Sequence, residues 1–288
     1  TTDYLIVPGL YTLSNTQTPV QPTNYRSHYE TQGYYASADF SYNDFLFLGA
    51  TGRIDKDSRL PQKNNSFFYP SVSLSAVLSE VLDIPNVNYL KVRGSYAKVG
   101  SSLDIYSNLD TYALNTPFTI DGTTYNPAYV NSILSNQDLQ PAFNSSTEFG
   151  IETRLFKNKL GLDVTYYENK NGPQIFNLQY SEASGYSGKK QNGITTKTKG
   201  WEIALTATPI RNDNFRWDIS VNWSAYKEYL KEVYGGITNN GRIKVGERVD
   251  AYYIYDFMRT QDGQLIVGND GKPLFNAYQT KVGYAAPD

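Results

Sequence analysis

The chain has 288 residues, with 26 Lys and Arg against 28 Asp and Glu, one His and no Cys. The balanced charge excludes a nucleic-acid binder held by phosphate contacts, and the lack of Cys excludes disulfide scaffolds, thiolate metal sites and cysteine nucleophiles. No apolar run approaches the ~20 residues of a transmembrane helix, whereas a membrane β-barrel stays open because its lipid face uses only every second residue.

Apolar and polar residues alternate along most of the chain, which is the pattern of half-exposed β-strands. Residues 1–28 hold three prolines and predict a loop segment. Residues 215–225 show the alternation best, because their odd-numbered positions are apolar and their even-numbered positions are polar. In chain order the predicted strands cover residues 29–42, 45–54, 68–78, 89–98, 145–155, 160–167, 201–208 and 215–225.

Three features favour a membrane barrel over a soluble β-sandwich, whose strands alternate in the same way. Several predicted strands reach the ~9–11 residues of a membrane crossing. Short links (43–44, 79–88, 156–159, 209–214) alternate with long ones (55–67, 99–144, 168–200), as turns and external loops do in outer-membrane barrels. Aromatic residues, 15% of the chain, crowd the strand ends, where a lipid–water interface favours them: Tyr42, Tyr96, Tyr166, Trp201, Trp217 and Trp223.

An ordered series of short motifs resembles the SusC/RagA family of TonB-linked outer-membrane transporters. FYPSVSLS at 68–75 and YLKVRGSY at 89–96 are similar to two strand motifs of that family. The other motifs of the series lie, in family order, at 34–36, 44–53, 55–59, 139–141, 146–152, 160–167, 184–186, 192–193 and 199–203. The match departs at Lys56, where the family often has Gly, at Ala76, where Trp is usual, and at Ala97-Lys98-Val99, which replaces the commoner Gly-Gln-Thr.

The resemblance implies an all-β fold, an antiparallel transmembrane β-barrel. Members of the family combine a plug domain with a barrel of about 22 strands, so we expect this chain to hold a partial set of strands and no plug. The predicted organisation is a loop segment at 1–28, barrel strands and extracellular loops at 29–234, and an extracellular loop and hairpin segment of the same barrel at 235–288.

One strand face places Glu148 and Glu152 beside Arg154. Paired carboxylates occur in glycoside hydrolases, but a polar, water-filled barrel lumen presents the same residues. The lumenal interpretation is favoured, because nothing else on the chain supplies a nucleophile or a base. We therefore expect no enzyme activity, no cofactor and no metal.

The link at 99–144 is the candidate functional segment, because long loops often bind ligands and this one carries an unusual number of rings. These rings could stack on sugar faces or cover a partner protein, or they could fill space above the barrel, and the sequence leaves both open. The candidate substrate- or lid-facing residues are Tyr106, Tyr112, Phe118, Tyr125 and Tyr129.

By resemblance, the chain is part of a TonB-dependent nutrient importer for oligosaccharides or peptides in a Bacteroidetes-type outer membrane. The expected partners are a SusD-like surface lipoprotein, the TonB complex acting through a plug, the substrate and outer-membrane lipid, with no nucleic acid. The alternatives are a secreted β-sandwich carbohydrate-binding module and a small stand-alone outer-membrane barrel that acts as an adhesin or porin.

Overall fold

A computed structural model of the protein describes residues 5–12, 14–15, 26–115 and 117–285. All eight predicted strands are present. The predicted loop at 1–28 lies partly outside the described residues. The strands are β1 (Thr31–Tyr42), β2 (Leu46–Asp57), β3 (Ser66–Val77), β4 (Val87–Ser101), β5 (Ala142–Leu155), β6 (Leu160–Gln179), β7 (Gly188–Arg211) and β8 (Arg216–Glu232).

These strands form one sheet in the order β1 to β8, and each strand pairs antiparallel with the next along the chain. A short ninth strand, Ile133–Leu134, pairs parallel with the start of β7. The strands are 12 to 24 residues long, well beyond the ~5–6 residues typical of globular sheets. A meander of such long antiparallel strands is the architecture of a barrel wall.

Successive connections alternate between the two ends of the sheet. One end, the turn end, carries the links at 43–45, 78–86, 156–159 and 212–215, and the other, the loop end, carries those at 58–65, 102–141 and 180–187 and the segment after Glu232. The first turn is tight because Asn43 and Asp44 both adopt positive φ, which these two residue types tolerate. The predicted long connection is present at 102–141, but the predicted sorting by length is otherwise wrong: the loop-end links 58–65 and 180–187 have 8 residues each, and the turn-end link 78–86 has 9.

The predicted long link at 168–200 is wrong in one respect. Most of it is strand, since β6 and β7 stay paired as far as Gln179 and Gly188. The sequence concealed this extension because residues 168–174 are polar at nearly every position, so the apolar–polar alternation stops where the hairpin passes Tyr166. Strand pairing continues there through backbone hydrogen bonds, which do not depend on alternation.

Short strands and single 3₁₀ turns lie in the connections at the two ends of the sheet. The paired short strands are Tyr112–Leu114 with Ala128–Val130, Phe118–Ile120 with Thr123–Tyr125, Asn239–Asn240 with Ile243–Lys244, and Ala251–Ile254 with Thr280–Tyr284. Single 3₁₀ turns cover Gln62–Asn64, Leu78–Glu80, Glu182–Ser184 and Tyr234–Gly236. Across the described ranges, no helix has the length and apolar character needed to cross a membrane. The proposed boundary between 29–234 and 235–288 stays a prediction.

Candidate functional site

One face of the sheet, here called the outward face, is apolar along its middle. Cross-strand pairs keep its side chains in register, as in the row that joins Val92, Ile151, Val164, Ile203 and Trp223. Val221 is 51% exposed and Trp223 is 52% exposed. The described strands make their extensive contacts with sheet neighbours and adjoining turns, so no second protein layer covers this face, as a β-sandwich would require.

The six aromatic residues predicted at the strand ends all project from the outward face, but Trp223 lies in the middle row and not at a strand end. Tyr166 lies directly opposite Trp201, and their ring centroids are 4.9 Å apart. Tyr42 and Trp217 lie near the turn end of their strands, whereas Tyr166 and Trp201 lie on the loop side of the apolar rows. Amphipathic rings at both borders of an apolar band are typical of an outer-membrane wall.

The opposite face, here called the lumenal face, is polar and internally paired. Arg93 of β4 reaches across β5 to Asp163 of β6, with hydrogen bonds of 3.1 Å from Nη1 and 2.8 Å from Nη2, and Nη2 also donates to Thr165 at 2.6 Å. A Cβ atom on Gly150 would lie 2.6 Å from Nε of Arg93. The glycine therefore leaves the space through which the guanidinium group crosses the intervening strand.

Glu148 and Glu152 both lie on the lumenal face, but each has a separate polar partner. Glu148 accepts a hydrogen bond of 3.0 Å from Ser146, and Glu152 accepts one of 3.1 Å from Arg154. This pairing fits a solvated lumenal wall.

No group of three or more His, Asp or Glu side chains in the described part of the chain is placed to hold a metal ion.

Apolar side chains from two loop-end connections pack against strands and form the loop-end cluster. Its buried members are Leu60, Phe67, Leu103 and Leu139. Leu139 is 0% exposed, and the ring of Phe67 meets Tyr69 edge-on at 5.0 Å. Partly buried residues from three further strand positions surround the cluster: Tyr69, Phe143 and Ile175. The cluster anchors both ends of the long connection at 102–141 to the sheet.

A polar clamp fixes the same connection beside the cluster. The Asn192 side chain accepts from the Gln140 backbone N–H at 2.9 Å and donates to the Gln140 carbonyl oxygen at 2.9 Å. Asn136 donates to the backbone of Lys190 at 2.9 Å and to the side chain of Gln191 at 3.0 Å. In the sequence, residues 139–141 and 192–193 stand out only as two separate motifs. Their contact was not predicted, because no local sequence pattern connects positions 52 residues apart.

Two acidic residues near the end of β2 organise the adjoining loop. Asp57, which is 1% exposed, accepts from Nη2 of Arg59 at 2.6 Å, and this hydrogen bond raises the pKa of Arg59. Asp55 accepts from Nε of Arg53 at 2.6 Å and from the Tyr69 hydroxyl at 3.0 Å. Buried charges are tolerated when they are paired in this way.

The five candidate aromatic residues are distributed over the long connection. Phe118 and Tyr125 stack on each other with centroids 5.5 Å apart, because a hairpin turn at Asp121 and Gly122 brings their strands together. Tyr112, 75% exposed, and Tyr129, 53% exposed, occupy adjacent rows of the other short strand pair, so they project from opposite sides of it. These four residues therefore do not form a single continuous ring surface.

Tyr106 lies apart from the other four. Its hydroxyl oxygen accepts a hydrogen bond of 2.9 Å from the His28 backbone N–H. Both residues line a pocket of about 270 Å³ that also includes Arg59, Asn108 and Gln137. The structure thus places one candidate residue in a pocket of mixed polar and apolar lining and the other four on exposed short strand pairs. Their roles stay predictions.

An apolar outward face, a paired polar lumenal face and long antiparallel strands together define the wall of an outer-membrane β-barrel. A family model described as TonB dependent receptor-like, beta-barrel matches residues 2–277. The chain belongs to this family, and the predicted outer-membrane barrel is confirmed.

Relatives and solved structures agree with this assignment. The chain is 28% identical to TonB-dependent receptor P39 of Formosa agariphila over 87% of its length and 25% of the relative's. It is 21% identical to TonB-dependent receptor SusC of Bacteroides thetaiotaomicron over 93% of its length and 28% of the relative's.

The chain also superimposes on a chain in the structure of the RagAB peptide transporter with a TM-score of 0.77 and 17% identity. The match covers 96% of this chain and 33% of that one. The chain therefore shares the fold of the matched part of that transporter chain. The chain spans about a quarter of the length of the curated relatives it matches.

Proposed function

We propose that the chain is part of a TonB-dependent importer that carries oligosaccharides or peptides across the outer membrane together with a SusD-like surface lipoprotein. The observation that carries the proposal is the architecture of the loop end. The loop-end cluster anchors the long connection at 102–141 to the sheet. The middle of this connection carries solvent-exposed aromatic rings, since Tyr112 is 75% exposed and Phe118 is 48% exposed. Aromatic faces of this kind stack on sugars and fill protein interfaces.

The lumenal face supports passage of a polar solute. A depression of about 440 Å³ on this face is lined by charged and amide side chains, namely Arg93, Asp163, Glu202 and Asn222. Charged and amide side chains along a water-filled wall exchange hydrogen bonds with polar solutes and do not trap apolar ones. In the proposed importer, this wall surrounds the plug, and the TonB complex supplies the energy for transport.

Uptake of labelled oligosaccharides or peptides by cells that express the full-length protein tests the import step. The rate of uptake should saturate with increasing substrate concentration and should require the expressed protein. Uptake should stop when a protonophore collapses the inner-membrane proton gradient. A passive porin would continue to equilibrate its solute under the protonophore. An adhesin would bind the label at the surface without internalising it. Either of these results would refute the importer.

A ring-removal experiment tests the role of the long connection. The double substitution F118A/Y125A should reduce either uptake or co-purification of the surface lipoprotein by roughly tenfold, because each removed ring deletes a large contact area. Phe156→Ala is the matched control, since Phe156 is 52% exposed at the turn end. Equal results for F118A/Y125A and the control would remove the hairpin from the proposed function without affecting the protonophore result.

A further inference from the structure

The pocket that contains Tyr106 is built from separate stretches of chain at the loop end, and we call it the Tyr106 pocket. Residues 58–62 form one wall and residues 105–109 form a second, while His28 and Gln137 contribute the rest of the lining. Its volume of about 270 Å³ lies near the lower end for ligand pockets, so it fits a group about as large as one sugar ring.

Hydrogen bonds fasten the two walls to a common support. Asn108 donates from Nδ2 to the Asn136 carbonyl oxygen at 2.9 Å and accepts from the Asn136 backbone N–H at 2.7 Å. Asn64, just after the first wall, donates to the Leu139 carbonyl oxygen at 3.0 Å. Both walls are therefore tied to the stretch 136–139, where Leu139 is 0% exposed. A pocket held in this way is formed before a ligand arrives, which lowers the cost of binding.

Tyr106 itself is held in an uncommon backbone conformation. Its φ is 58°, in the left-handed region that bulky residues rarely adopt. The hydrogen bond from the His28 backbone N–H to its hydroxyl oxygen helps to fix the side chain. Conformations of this kind concentrate at binding sites, where the surrounding contacts enforce them. The ring of Tyr106 is therefore fixed at the pocket wall.

The lining has no unpaired charge to offer a ligand. Among the described residues that line the pocket, Arg59 is the one Lys, Arg, Asp or Glu. Its guanidinium group already contacts the buried Asp57 carboxylate in bidentate fashion, at 2.6 Å from Nη2 and 3.0 Å from Nε. The same group lies 4.5 Å from the centre of the Tyr29 ring. A charged ligand group would enter without a counter-charge, so the pocket favours a neutral group.

The remaining lining combines apolar side chains with free amides. In the part of the chain that the structure describes, the side chains of Gln62 and Gln137 make no hydrogen bond, and both residues are exposed. A sugar ring has the matching composition, because its C–H face packs on apolar and aromatic side chains while its hydroxyl groups bind amides. An aliphatic peptide side chain would make no use of the amides. The apolar members are Leu60, Pro61, Ile105 and Leu109.

We infer that the Tyr106 pocket binds one uncharged sugar residue of an oligosaccharide. The ring of Tyr106 and the apolar side chains cover the C–H face of the sugar, and Gln62 and Gln137 bind its hydroxyl groups. The inference rests on the proposed function for the statement that this oligosaccharide is imported, and it selects one of the two substrate classes proposed there.

Saturation-transfer NMR titrations of the full-length protein, in a detergent without a sugar headgroup, test this inference. The probes are neutral di- to hexasaccharides of glucose, mannose, galactose and xylose, with uronate-containing oligosaccharides and tripeptides for comparison. At least one neutral oligosaccharide should bind, and the charged oligosaccharides and the tripeptides should bind at least tenfold more weakly.

The double substitution Q62A/Q137A should weaken binding of the neutral oligosaccharide by roughly tenfold, because it removes two neutral hydrogen bonds. The matched control is Q261A/Q264A, which changes two exposed glutamines of a later loop and should leave the affinity unchanged. Leu109→Trp adds a large ring at a lining position that is 52% exposed, and it should abolish binding by filling the pocket. Heat-modifiable migration on gels reports whether each barrel is folded.

The possible failures of the pocket and of the importer can be told apart. Binding of no neutral oligosaccharide, or unchanged affinity in the folded Q62A/Q137A and L109W variants, would overturn the inference while energised peptide uptake would still support the importer. Oligosaccharide binding that both pocket variants weaken, together with uptake that persists under the protonophore, would support the pocket and refute the importer.

Discussion

The middle of the wall and the loop-end cluster hold similar apolar residues in different surroundings. On the outward face, Phe149 is 60% exposed and Val221 is 51% exposed, whereas Leu139 and Phe67 of the loop-end cluster are 0% and 8% exposed. The wall has backbone ladders within the protein and needs lipid to cover its side chains. The loop end is packed by the protein itself. A single chain thus contains one region that depends on its membrane and one that resembles the core of a soluble protein.

The most destabilising change should be Leu139→Ala in the loop-end cluster. Removing a fully buried leucine side chain leaves a cavity and should cost about 2–5 kcal/mol of unfolding free energy. Urea unfolding of the full-length protein in lipid vesicles measures this cost. Leu109→Ala is the control, because Leu109 belongs to the same connection and is 52% exposed. A similar small effect at both positions would contradict the packed cluster.

A charge on the outward face should be nearly as costly. Ile219→Arg or Val221→Arg should cost roughly 2–4 kcal/mol if these residues face the middle of the bilayer. Ser220→Arg should be nearly neutral, because Ser220 projects into the lumen between them. Refolding into lipid measures all three variants. Equal costs on the two faces would contradict the assignment of faces and would remove the basis of the comparison above.

The polar clamp should contribute less than the cluster that it adjoins. Asn192→Ala removes both hydrogen bonds to Gln140, and because Gln140 is exposed, water replaces them in part, so the change should cost about 1–2 kcal/mol. Faster hydrogen exchange at the amide of Gln140 should accompany the loss. Asn177→Ala is the control, since Asn177 is exposed on the neighbouring strand. Unchanged exchange at Gln140 would show that the cluster alone anchors the connection.

The smallest effect is expected for the ion pair on the lumenal face. Arg93 and Asp163 are 35% and 36% exposed, so water screens their attraction. A double-mutant cycle with R93A and D163A should give a coupling energy of roughly 0.5–1 kcal/mol. A coupling several times larger would mean that the lumenal wall is drier than its exposure indicates, and the contrast between a dry outward face and a wet lumen would fail.

Several parts of the candidate site could not be predicted from the sequence. The strands that cross the apolar band were predictable because a period of two is visible in any single strand, as at 215–225. The clamp between Asn192 and Gln140 and the crossing of Arg93 over Gly150 join distant segments, so they depend on the register between strands. The five aromatic candidates were found by their number, but their division between a pocket and two hairpins was not visible.

The sequence by itself determined which residues share a face of each strand across the apolar band, because this follows from side-chain alternation. Only the tertiary structure decided how the faces of neighbouring strands align. That alignment sets lysine opposite lysine outside and arginine near aspartate inside, because inter-strand pairing is fixed by backbone hydrogen bonds between distant segments.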